Sequence, residues 1–114
     1  MDLSRRVASL PMPPHYRRER AEEWGYNADQ AALFEAAQAW RREYAITAAG
    51  SDGPDVHLLI VDAQKDFCFP TGALYVGGRG GRGAIEDCAR LSEFIYRHLP
   101  LLTNVTATMD THLA

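Results

Sequence analysis

Residues 57–74, "HLLIVDAQKDFCFPTGAL", decide how the chain is read. From Val56 to Val61 the residues are almost continuously apolar, the pattern of a strand buried on both faces of a parallel sheet. That run ends on Asp62. Beyond a glycine cluster, "AIEDCARLSEFIYRHL" (84–99) predicts a helix. Glu86 and Asp87 stand in its first turn, Cys88, Leu91, Ile95 and Leu99 make its apolar stripe, and Pro100 stops it. "NVTATMD" (104–110) then reads as a second strand, ending on Asp110. Strand, helix and strand form one β-α-β unit, whose crossover rule sets the two strands parallel and adjacent. Such sheets need several strands and helices on both faces. The fold class expected is therefore α/β, a truncated three-layer parallel-sheet domain.

Upstream the pattern changes. "NADQAALFEAAQAWRREYAI" (27–46) predicts an amphipathic helix, with Asn27 able to cap it and Asp29 suited to its positive end. Leu33, Ala37, Trp40 and Tyr44 supply its apolar face. Residues 1–26, with Pro11, Pro13 and Pro14 and little periodicity, are expected to form an extended arm lying on a partner surface. "TAAGSDGPD" (47–55) breaks the helix as a linker or turn. The division expected is residues 1–50 as an N-terminal helical arm and 51–114 as the β-α-β portion.

The 114 residues are 46% hydrophobic and 24% charged, the composition of a globular protein. A net charge of -3 gives no basic footprint for nucleic acid. The longest apolar run is far too short to span a bilayer, and prolines interrupt the start where a signal peptide needs an apolar core. Cys68 and Cys88 lack zinc-finger or CxxC spacing and read as reduced thiols in a cytoplasmic protein.

The chemistry converges on the strand ends. Ligands of open α/β sheets bind at the carboxyl ends of strands, and both strands here finish on a carboxylate. Either aspartate alone is also what a turn or helix cap uses. Asp110 and His112, two apart in extended backbone, face one side and suit Zn, Fe or Mn, although a catalytic centre takes three protein ligands. Gly78, Gly80 and Gly83 match G-x-G-x-x-G before a helix, but some fifteen residues separate them from the strand the dinucleotide fingerprint should follow directly. The long loop between strand and helix places Phe67 and Phe69 as possible pocket walls. Cys68, in an apolar phrase, reads as a structural thiol.

"LLIVDAQKDFCFPTGAL", a helix, then "TATMDTH" resembles the opening of the isochorismatase-like cysteine hydrolases, nicotinamidases in particular. Their first strand ends in D-x-Q-x-D-F and their second in D-x-H. The likeness covers residues 56–114, and the ordered pair is more specific than either motif alone. It implies Asp62 as the general base for a cysteine nucleophile, Asp110 and His112 as two ligands of a divalent metal, and Phe67 as an aromatic wall beside the substrate ring. The reaction implied turns nicotinamide, or another small-molecule amide, into the acid and ammonia through a thioester. Isochorismatases proper lack the metal pair, so the D-x-H favours an amidase. The family's lysine, nucleophilic cysteine and further metal histidine follow the D-x-H; Lys65 and Cys68 are not their counterparts. These residues alone are thus expected to be inactive, with the exposed sheet edge taking a second copy or a complementing chain. Two other classes stay open: a non-catalytic interaction subunit, and a phosphate- or nucleotide-binding module built on the glycine cluster.

Overall fold

The computed structural model of the chain describes residues 9–23, 29–47 and 55–111. The segment that predicts the first helix forms α1, Gln30–Glu43. Its N-cap is Asp29, whose carboxylate accepts a hydrogen bond from the Ala32 N–H at 3.1 Å. Such a cap satisfies one of the amides a helix start leaves unpaired. Asn27 lies outside the described residues. The predicted apolar face holds through Leu33, Ala37 and the buried Trp40, but Tyr44 is the C-cap and stays 39% exposed.

Strand β1, His57–Ile60, and strand β2, Asn104–Ala107, pair in parallel, with Leu58 opposite Val105 and Ile60 opposite Ala107. Between them come a short helix, α2 (Lys65–Cys68), and a long one, α3 (Gly83–Arg97). The parallel α/β unit is as the sequence implies. Burial of β1 on both faces is not: exposed and half-buried residues alternate, and β2 is exposed at all four positions. A sheet of two strands has two edges and no centre, so neither strand gains full cover.

Helix α3 is packed by a face the predicted stripe leaves out. Its buried residues are Ile85 and Ala89; Cys88, Leu91, Ile95 and Leu99 are half-buried. The described part of the arm, residues 9–23, lies against this helix. The Leu10 N–H donates to the Arg97 carbonyl at 2.8 Å, and the Tyr16 hydroxyl donates to the Ala89 carbonyl at 3.3 Å. Arg18 pairs with Glu93, and Arg82 with Glu22 at 2.9 Å. These exposed pairs fix position more than they stabilise. Between arm, α1 and α3 lies a cluster of rings, of which Trp40 is buried. Tyr96 meets His15, Tyr16 and Trp40 with ring centroids 5.8, 5.8 and 6.0 Å away, all at steep interplanar angles. Edge-to-face contacts of this kind suit the ring quadrupoles. Pro13 is fully buried beside them.

Candidate functional site

β1 delivers Asp62 two residues past its last paired position, and there the backbone turns left-handed, at φ 57°. Aspartate tolerates this region because its short side chain can hydrogen-bond locally. The partner is Thr108, just past β2. The Asp62 N–H donates to Thr108 Oγ1 at 3.1 Å, and the Thr108 hydroxyl donates to Asp62 Oδ1 at 3.2 Å. The Thr108 N–H in turn donates to the Ile60 carbonyl at 2.8 Å, prolonging the sheet ladder to the site.

A second clasp lies one step further out. The Gln64 side-chain amide donates to the Asp110 carbonyl at 3.1 Å and accepts from the Asp110 N–H at 2.8 Å. The carboxamide thus imitates a neighbouring strand, offering one donor and one acceptor to a single residue's backbone. The two sequence motifs are thereby tied together: D-x-Q grips the segment that begins D-x-H. The expected convergence of Asp62 and Asp110 at adjacent strand ends is realised, although each lies beyond its strand proper. Thr108 and Gln64, which join them, received no role from the sequence. The signal for Gln64 was its place inside the motif; for Thr108 it was the two-residue spacing from Asp110.

A cleft of about 500 Å³ opens beside Asp62, with walls that include Phe67, Cys68, Val76, Cys88 and Leu91. Phe67 is half-buried in α2. Cys68 is buried and Cys88 half-buried, and neither is in a disulfide. The Cys88 thiol is pushed up to about 12, first by burial and then by its hydrogen bond with Cys68. A larger groove of about 610 Å³ runs between the arm, α1 and α3, lined by residues such as Tyr16, Leu33, Phe34 and Tyr96. Its described lining includes no carboxylate, whereas the smaller cleft holds Asp62 and Asp87.

His112 lies outside the described residues, and Asp110 alone of the implied metal pair is placed, exposed at the site's rim. Among the described residues no cluster of three or more His, Cys, Asp and Glu side chains gathers for a metal. One placed carboxylate does not make a metal centre.

The glycine cluster is a hydrogen-bonded turn. Gly83 N–H donates to the Gly77 carbonyl at 2.8 Å and Ala84 N–H to the Val76 carbonyl at 3.0 Å, and the Tyr75 hydroxyl donates to the Gly81 carbonyl. The first amides of α3 are therefore occupied rather than presented as an anion cradle. Among the described residues no helix is long and apolar enough to cross a membrane. Comparison of the chain with models of known families, with curated proteins and with solved structures found no match.

Proposed function

We propose that the β-α-β portion is the amino-terminal part of an isochorismatase-like cysteine hydrolase of the nicotinamidase kind, with Asp62 as its general base and small amides as its substrates. The observation that carries this reading is the double clasp: Asp62 with Thr108, and Gln64 with Asp110, tie the two motif ends to each other, next to the cleft that Asp62 lines. One oxygen of Asp62 accepts from Thr108, which orients the carboxylate and leaves the second oxygen to take a proton from an incoming thiol. Phe67 supplies a flat apolar wall for an aromatic amide. The thiol that attacks, and the lysine that accompanies it in the family, have no counterpart among Cys68, Cys88 and Lys65. Asp110 and His112 are the residues that would take a divalent metal.

The test is ammonia release from nicotinamide and related pyridine carboxamides, using the protein as its gene encodes it. Asp62→Asn is expected to lower kcat by at least about 100-fold, the scale of a general base, with little change in substrate binding. Amide hydrolysis that survives Asp62→Asn unchanged removes Asp62 from the chemistry. Absence of ammonia release from every carboxamide tested refutes the reading as a whole, and favours an interaction subunit.

A further inference from the structure

Two ring nitrogens among the packed aromatic residues, Trp40 Nε1 and His15 Nδ1, are buried and find no hydrogen-bond partner among the described residues. Trp40 of α1 is 4% exposed, so its indole N–H has lost water without gaining an acceptor. Buried polar groups are nearly always paired, and one left alone marks a place where a partner belongs. The two rings are neighbours of one residue. Each meets Tyr96 of α3 edge-to-face, with centroids 6.0 Å away for Trp40 and 5.8 Å for His15. Both also line one cavity of about 430 Å³, enclosed by the arm, α1 and the turn after α3. That volume is many times a water's share of the liquid, about 30 Å³, and suits a small organic molecule. Ile46, Tyr96, Leu99, Pro100 and Leu102 make its walls largely apolar. Arg41 adds a positive charge at the exposed rim, and no described residue of the lining is acidic. The Arg41 Nε–H donates to the carbonyl of Ile46, another wall residue, at 3.1 Å, which holds the guanidinium beside the cavity.

We propose that this cavity binds a small aromatic carboxylate. An indole N–H only donates, and an imidazole Nδ1 donates when it carries its proton, so the occupant must bring oxygen acceptors. A carboxylate offers two, and the charge of Arg41 favours it over a neutral carbonyl. The apolar walls and the rings of Trp40 and Tyr96 take the body of the molecule, for which an aromatic ring is the matching shape. Because His15 comes from the arm and Trp40 from α1, the occupant would join the two and so stabilise the docked arm. The cavity shares no lining residue with the cleft beside Asp62, so this proposal and the hydrolase reading stand or fall separately.

The experiment titrates the protein, as its gene encodes it, with benzoate, following the indole N–H resonances by NMR and the melting temperature in parallel. The Trp40 indole proton, identified by its loss in Trp40→Phe, should move downfield and saturate, with a half-point at about 1 mM or below. Tm should rise with benzoate concentration. Trp40→Phe keeps an aromatic ring and removes the N–H, and Arg41→Gln removes a charge at an exposed position; each should weaken binding by about tenfold. Benzamide, alike in shape but uncharged, should bind at least about fivefold more weakly than benzoate. Should Trp40→Phe not fold, Arg41→Gln and the benzamide comparison on the parent chain give the decision. No saturable response to benzoate, benzamide binding as well as benzoate, or Arg41→Gln binding as well as the parent overturns the proposal. An indole proton that contacts water and ignores benzoate assigns the cavity to solvent and overturns it too.

Discussion

At the residue scale, Asp62 is held in a conformation it does not favour. A left-handed φ at a non-glycine residue costs on the order of 1 kcal/mol or more, so neighbouring bonds must hold it there. Thr108 supplies two of them, through one hydroxyl. Thr108→Val keeps the shape and removes both, and should lower stability by about 1–2 kcal/mol in urea unfolding. On the proposed hydrolase reading, ammonia release should also fall in kcat more than KM rises, because the Asp62 carboxylate loses its orientation. Unchanged stability and activity would show that β1 alone sets the Asp62 geometry. Cys88 carries a second residue-scale prediction. Its thiol titrates near 12 in the fold against an ordinary 9.0, chiefly through burial and then the bond to Cys68. In the unfolded chain the proton is lost from about 9 upward, whereas the folded chain keeps it to about 12. Folding stability should therefore fall as pH rises across that window, and be unaffected by this group below it. Tm measured from pH 8 to 11 should drop less steeply in Cys88→Ala than in the parent; equal slopes would assign the loss to other groups.

At the scale of elements, the turn after α2 rests on one glycine. A Cβ at Gly72 would lie 2.3 Å from the Lys65 carbonyl oxygen and 2.6 Å from that of Asp66, both backbone atoms that cannot swing away. Gly72→Ala must push this turn off α2, straining the bonds from Leu74 to Asp66 and from Val76 to Phe67. A loss of about 1–3 kcal/mol is expected, as for an overpacked core. Gly80→Ala is the control, since nothing lies within 4 Å of its added carbon and it should be nearly neutral. If both are neutral, α2 is not fixed by this approach. These elements also show what the sequence makes legible. α1, α3 and the parallel pair follow from periodicity and from apolar runs, signals that need only neighbours in the chain. α2 escapes because four residues make barely one turn and no period. The docking of the arm escapes because His15 and Tyr16 meet Tyr96 and Ala89 across more than seventy residues, without any repeat to mark it. At the site, the two aspartates were legible as strand ends, while the Gln64 and Thr108 clasps are long-range contacts that local pattern does not carry.

At the scale of the whole molecule, the register decides which apolar groups meet solvent. Leu59 and Val61 share one face of the sheet with Thr106, and Val105 and Met109 belong to the other, because paired residues of neighbouring strands point the same way. Leu59 is 62% exposed, Val61 65%, Val105 42% and Met109 77%. Both faces thus carry exposed apolar side chains, the composition of strands suited to the middle of a sheet, while each strand has an unpaired edge. Burial of such surface stabilises by about 25 cal/mol per Å², and free edges supply the main-chain bonds to direct it. The 114-residue chain is accordingly expected to self-associate, with an average mass in sedimentation or light scattering that rises with concentration. Leu59→Lys with Val105→Lys places a charge on each face and should shift this association toward monomer, since neither side chain is needed by the aromatic core around Tyr96. A parent chain that stays monomeric at high concentration and melts cooperatively would mean that the arm and α3 already give these two strands all the cover they need.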